Sequence, residues 1–258
     1  MTGAHVVGVP VDKDGLDCGR LADLDNCRLA YVTPAHQYPT GVTMSLARRL
    51  SLLDWAERND SWIIEDDYDG EYRYSGAPLA PLAALDRQGR VIYIGTFGKI
   101  AFPGLRLGYL VLPAQLAQAF SQARALADRH SEVSSQHVMA EFMAHGHFQR
   151  HVRRMRRAAL SRRNVLKAGW PVDISGLGEM PAVDAGLHVK VAVDNYAREQ
   201  ALVAQAEAVG VEVNPLSSYW LDDCDMPVDN RAGLVLGFAA VPEAHIADAL
   251  MRLRKAWR

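Results

Sequence analysis

The chain has 258 residues, 49% of them hydrophobic, enough to bury a large core without disulfide or metal staples. Lys and Arg total 28 against 30 Asp and Glu, so the charge balance gives no case for nucleic acid as the main partner. Cys18, Cys27 and Cys224 lack CxxC spacing and read as reduced thiols rather than a disulfide framework or a zinc site. No long apolar run and no basic-then-apolar leader is present, which predicts a soluble cytoplasmic protein with no membrane partner.

In chain order, "AHVVGVPVDKDG" reads as a strand already in progress that runs into an Asp-Gly turn. Such an opening predicts that the front of a domain is missing. Leu29–Val32 is the next strand, and "YVTPAHQYPTG" leaves it through a turn stiffened by Pro34, Pro39 and Gly41. A helix follows, with Ser45 as N-cap and Leu46, Leu50, Leu53 and Ala56 on one face. Further strands are expected at Trp62–Ile64, Val91–Ile94 and Leu107–Leu112. This strand–helix–strand order predicts an α/β layer with a largely parallel sheet. A helical pattern covers residues 133–167, broken near Gly146, with Phe148, Val152, Met155 and Ala159 in one apolar stripe. Its seven arginines read as the solvated side of an amphipathic helix in preference to a nucleic-acid surface. The segments "GLHVKVAV", "GVEVNPL" and "GLVLGFAAV" and a closing helix "EAHIADALMRLRKAW" then form a compact α+β unit.

Two stretches carry chemistry. "WIIEDDYDGEYRY" packs five carboxylates into residues 65–71. A calcium-loop reading from Glu65 fails, because position twelve is Gly76. A solvated acidic turn accounts for Asp67 and Asp69, but less well for Asp66 at the carboxyl end of a strand, where α/β sheets bind ligands. In "GTFGKIAFPGLRLGYLVLP", Lys99 follows a glycine just beyond a strand. The phosphate-loop pattern fails twice, with Tyr93 at the first glycine and Ile100 at the hydroxyl position. A lysine among small and apolar residues predicts a desolvated amine, the state a Schiff-base lysine needs.

In this order and spacing, "TPAHQYPTGVTMSLARRLSLLDWA", "IIEDDYDGEYRY" and the Lys99 stretch resemble fold-type I pyridoxal-phosphate (PLP) enzymes of the aspartate aminotransferase kind. More closely they resemble the aminotransferase-like domain of MocR-type regulators of the GntR family, from about Ala4 to the C-terminus and including "PLSSYW" and "GLVLGFAAV". The resemblance implies an α/β, fold-type I PLP-dependent transferase fold. An N-terminally incomplete large domain with a mainly parallel sheet would occupy residues 1–165, and a small α+β domain residues 166–258. It implies that Lys99 binds PLP as an aldimine and shuttles a proton, that Asp66 pairs with the pyridinium nitrogen and that Tyr68 donates to the ring's phenolate oxygen. Thr96 and Arg106 would hold the phosphate, with Gly98, Tyr38 and His36 completing the cofactor set.

Departures from the pattern narrow what is implied. Gly98 stands where aminotransferases usually carry Ser, and Tyr38 where they carry Asn. Val235 stands where amino-acid aminotransferases carry the arginine that clamps the substrate carboxylate, and an apolar residue cannot make that pair. The winged helix-turn-helix that opens a MocR-type protein has no counterpart in these residues. The expected function is therefore the PLP-binding domain of such a regulator, sensing an amine, amino-acid or cofactor effector and homodimeric when complete. A PLP-dependent aminotransferase and an inactive gene fragment are the alternatives.

Overall fold

The computed structural model describes residues 3–77, 79–221 and 226–258, so Cys224 lies outside the described residues while Cys18 and Cys27 are free thiols. A two-residue hairpin, β1 (Val11–Asp12) with β2 (Gly15–Leu16), leads into the short helix α1 (Cys18–Ala22). Gly15 has φ +112°, and a Cβ there would lie 2.9 Å from the Met44 side chain, so a side chain is excluded on both counts. The expected strand is confined to this hairpin. Residues 3–10 are not in a strand, and Val6 is 68% exposed. Alternating valines cannot make a strand without a neighbour to complete the hydrogen-bond ladder.

The main sheet is built from β3 (Leu29–Val32), β4 (Trp62–Asp67), β5 (Val91–Thr96) and β6 (Gly108–Val111), in that spatial order. The first two pairings are parallel and the last antiparallel. β4 and β5 run further than their apolar cores suggest, because Glu65, Asp66 and Asp67 continue the ladder opposite Tyr93, Ile94 and Gly95. Between β3 and β4 lies α2 (Leu46–Arg58), and between β4 and β5 the single turn α3 (Leu82–Leu85).

After β6 come α4 (Ala114–Asp128), α5 (Ser134–Ala144) and α6 (His147–Gly169). The break at Gly146 is a left-handed residue, φ +68°. A second, antiparallel sheet has the order β7-β9-β8, from β7 (His188–Ala192), β8 (Asn214–Pro215) and β9 (Gly233–Gly237), with α7 (Tyr196–Ala208) and α8 (Glu243–Ala256) packed on it. Of "GVEVNPL" only Asn214–Pro215 is strand; Pro215 has no amide to donate and Val213 turns into the core. α6 ties the two sheets together and crosses the expected boundary at residue 165. Its stripe of Phe148, Val152, Met155 and Ala159 packs on Tyr72 and Ile100, and Leu166 enters the core of the second sheet. Two of its arginines are not merely solvated: Arg162 donates to the Ala239 carbonyl and Arg163 to that of Val183, 2.6 Å away.

α2 corrects the sequence reading of its buried face. Ser45 caps it as expected, accepting from the Arg48 amide. Arg49, Leu52, Trp55 and Ala56 are the buried residues, whereas Leu46 is 57% and Leu50 50% exposed. The reason is Arg49, an inward arginine that pattern reading assigns to solvent. Its guanidinium, 2% exposed, donates to the carbonyls of Met44 (3.1 Å), Ala80 (3.1 Å) and Pro34 (2.7 Å). Glu65 lies 3.9 Å away and accepts from the Leu82 and Ala83 amides at the start of α3. Burial raises the Glu65 carboxyl and lowers the Arg49 guanidinium, so the pair persists through these hydrogen bonds rather than through bare Coulomb attraction. Arg49→Leu strips three carbonyls and leaves Glu65 buried without its counter-charge. Urea unfolding is expected to show a loss of about 3–5 kcal/mol; a loss below about 1 kcal/mol would remove Arg49 from its structural role.

Candidate active site

Strand alternation sorts the acidic residues of β4 onto two faces. Register places Ile63 beside Ala30 and Val91, on the face covered by α2 and α3, and Glu65 and Asp67 share that face. Asp66 therefore belongs to the opposite face with Tyr31, Ile64 and Ile94. Thr96 lies two residues beyond Ile94, so Asp66 and Thr96 share one face at the carboxyl ends of two adjacent parallel strands. Tyr31 donates to Asp66 Oδ2. Partial burial, then the Asp66 carboxylate, push the Tyr31 phenol well up, so it stays a proton donor. The sequence reading missed Tyr31, although the alternation of β3 against β4 contains it.

Beyond β5 the chain makes a tight turn. Ala101 N–H donates to the Phe97 carbonyl (2.8 Å), Tyr72 OH to that of Lys99 (3.2 Å), and His151 Nε2–H to that of Ile100 (2.8 Å). Ile100, 1% exposed, anchors this turn in the core. Lys99 is exposed, which corrects the expectation of a desolvated amine: Ile100, not Lys99, takes the inward position. Gly98 is close to Thr96 Oγ1, which accepts from the Gly98 amide at 3.1 Å. Arg106 ends a short 3-10 turn (Pro103–Leu105) in the left-handed region, φ +49°, a conformation uncommon for a non-glycine residue. Lys99 and Arg106 are both exposed, and neither forms an ion pair among the described residues.

The remaining expected residues form an aromatic cluster between the two sheets. Tyr68 OH donates to the His36 carbonyl (2.9 Å), and burial followed by the Asp69 carboxylate raises its phenol far above the ordinary value. As placed, its proton serves His36. His36 Nδ1–H donates to Asp69 Oδ2 (3.0 Å), and its ring lies against His188 at 4.5 Å. Gly186, φ +86°, leaves room for that ring: a Cβ there would sit 1.9 Å from His36. His188 Nε2–H donates to the Pro39 carbonyl (3.1 Å). Tyr38 OH donates to Tyr219 OH (2.9 Å), and its ring meets those of Tyr68, His188 and Tyr219 edge-on. His188, Tyr219 and Asp69 were not foreseen. Asp69 is 2% exposed, which overturns its reading as a solvated turn residue. Possible ligand atoms of His36, Asp69 and His188 lie within 4.8 Å of one another, but these hydrogen bonds already account for the two histidines.

The donor set fits a phosphorylated pyridine aldehyde. A carboxylate and a hydroxyl share one face, with an exposed amine in the next turn and an exposed guanidinium beyond it. Asp66 has one oxygen engaged, by Tyr31, which leaves Oδ1 for a second donor.

The model of the aminotransferase class I and II family matches residues 21–209. The chain belongs to this family. It is 35% identical over 98% of its length to the HTH-type transcriptional regulator YdeL of Bacillus subtilis, covering 54% of that protein. It is 35% identical over 99% of its length to the rhizopine catabolism regulatory protein MocR of Rhizobium meliloti, covering 50% of it. The chain thus spans about half the length of these curated relatives. The structure of Pyrococcus horikoshii kynurenine aminotransferase, solved with PMP, superposes with a TM-score of 0.84 at 27% identity, over 97% of this chain and 63% of that one. This aminotransferase fold is of fold-type I. No helix among the described residues is long and apolar enough to cross a membrane.

In this aminotransferase-family chain His188 has a consequence for acid stability. Burial first, and then His36, lower its pKa from 6.5 to about 3. Between those values the unfolded chain binds a proton that the folded chain does not. The contribution is complete above pH 6.5 and is lost as pH falls toward 3, at up to about 1.4 kcal/mol per unit. The melting temperature is expected to drop on acidification through this window, and to drop less steeply in His188→Gln, whose amide can still donate to Pro39. Parallel acid limbs for the two proteins would contradict it.

Proposed function

We propose that this chain is the PLP-binding, aminotransferase-like sensor of a MocR-type transcriptional regulator, responding to an amine or amino acid in the cytoplasm. The observation that carries the reading is that Asp66 and Thr96 share one face of the sheet, with Lys99 and Arg106 exposed in the segment that follows. When bound, PLP supplies an electrophilic aldehyde and a ring that accepts electrons. Lys99 would supply the amine for that aldehyde and a base for a proton released there. Asp66 would hold a proton on the ring nitrogen. Thr96 and Arg106 bind phosphate, Arg106 through its forked guanidinium. Tyr68, kept protonated, offers its hydroxyl to the phenolic oxygen once it turns from the His36 carbonyl. Gly98, Tyr38 and His36 shape the walls. Assembly as a homodimer belongs to the same reading.

The similarity to two regulators over nearly the whole chain supports a sensing role. The kynurenine aminotransferase likeness favours a second reading, catalysis of amino-group transfer. Val235 counts against an α-carboxylate substrate: it is 2% exposed within β9, paired with Lys190 and Asn214. Incubation with PLP, borohydride reduction and peptide mass analysis is expected to leave one phosphopyridoxyl group, on Lys99. Lys99→Ala, folded by circular dichroism, should carry none, and Asp66→Ala should weaken retention about tenfold. Undiminished labelling in Lys99→Ala would refute the assignment.

A further inference from the structure

A cavity of about 330 Å³ lies on the α2 side of the main sheet, the face opposite Asp66. Three buried polar atoms without a hydrogen-bond partner belong to residues lining it: Asp67 Oδ1, Asp69 Oδ1 and Arg73 Nε. Asp67 and Asp69 are not idle, since Oδ2 of each is engaged, by Tyr93 OH at 2.7 Å and by His36 at 3.0 Å. Their second oxygens are the unmet ones. Gly70 keeps the first uncovered, because a Cβ there would lie 2.3 Å from Asp67 Oδ1. The pocket opens beside Gly70 and Leu79, both exposed, and Val152 adds an apolar wall.

Buried orphan acceptors and a buried orphan donor in one cavity are each costly. Two carboxylate oxygens ask for a cationic donor, while a guanidinium N–H asks for an anionic acceptor. Burial raises the Asp67 carboxyl and the neighbouring Asp69 charge adds to it, against Tyr93, the Gly70 amide and Arg49, which lower it. A volume above 300 Å³ lies within the ordinary range for small-molecule sites. We infer that this cavity binds a zwitterionic α-amino acid with an apolar side chain. Its ammonium bridges Asp67 and Asp69, its carboxylate accepts from Arg73, and its side chain lies against Leu79 and Val152. The site lies on the opposite face of the sheet from Asp66 and shares only His36 with the residues assigned to PLP, so it does not depend on that assignment.

The test is calorimetric titration of the PLP-free chain with L-leucine, with isoamylamine and isovalerate as ammonium-only and carboxylate-only probes. Saturable heat is expected for L-leucine and not for the other two. Asp67→Asn keeps an acceptor for Tyr93 and loses the charge. Arg73→Gln removes the guanidinium. Each should weaken L-leucine about tenfold or more, and Gly70→Ala should do the same by covering Asp67 Oδ1, all in chains folded by circular dichroism. Lys99→Ala should retain binding. No saturable heat for L-leucine would mean that the cavity holds only water. That result, equal binding of isovalerate, loss of binding in Lys99→Ala, or insensitivity to both Asp67→Asn and Arg73→Gln would overturn the inference.

Discussion

The geometry of the site depends on one buried guanidinium. Arg49 holds the carbonyls of Pro34 and Met44, the two ends of the loop that carries His36 and Tyr38, and also that of Ala80 ahead of α3. Without it the Met44 carbonyl would lose its guanidinium donor, and that of Pro34 would keep only the Met44 amide, 2.9 Å away. Its counter-charge, Glu65, adjoins Asp66 in sequence and points the other way. Fixing Glu65 against the amides of α3 therefore fixes the phase of β4. A slip of one residue would bury Asp66 and expose Glu65. A structural ion pair on one side of the sheet sets which carboxylate is free on the other.

The same division of labour recurs around the site. In the turn after β5, Ile100 supplies the apolar anchor while Tyr72 and His151 bind backbone carbonyls, leaving the Lys99 side chain uncommitted. In the loop after β3, Gly186 and His188 of the second sheet region clasp His36 and Pro39, so the aromatic wall is fixed from both sheets. Side chains that could engage a ligand sit beside neighbours that absorb the packing energy, which is how a rigid scaffold tolerates exposed chemistry.

Much of this was legible in the sequence because it is written in periodicity. β3 appears with its expected bounds, α6 with its stripe and the break at Gly146, and the second sheet with its closing helix. The failures share a cause. Residues 4–9 carry the strand pattern but have no neighbouring strand, and pairing is not a local property. The buried face of α2 was misjudged because Arg49 looks like a surface residue until its three carbonyl partners are known. Asp69 reads as a solvated acid because nothing nearby in sequence announces His36 beside it, thirty-three positions upstream. Lys99 was expected to be buried by its apolar neighbours, yet apolar neighbours in a turn compete for the inward position, and Ile100 takes it. Long-range polar pairing carries no period, so sequence pattern could not find it.

Asp66 through Asp69 also show how two polar environments can be kept apart within four residues. Asp66 faces the open side with Tyr31, Asp67 the α2 side with Tyr93, Tyr68 turns to the His36 carbonyl, and Asp69 closes on the His36 ring. His36 is thus bonded to the Tyr68 phenol through its carbonyl and to the cavity-lining carboxylate through Nδ1. Its ring cannot retreat, because Gly186 already stands where no Cβ would fit and His188 packs against it. A displacement of Asp69 would therefore be passed to the backbone of residue 36, and so to the acceptor that now holds the Tyr68 proton. Stiff, close-packed links of this kind transmit small shifts instead of absorbing them. The physical separation of the two environments and their mechanical connection have the same origin, a histidine held between Gly186, His188 and Asp69.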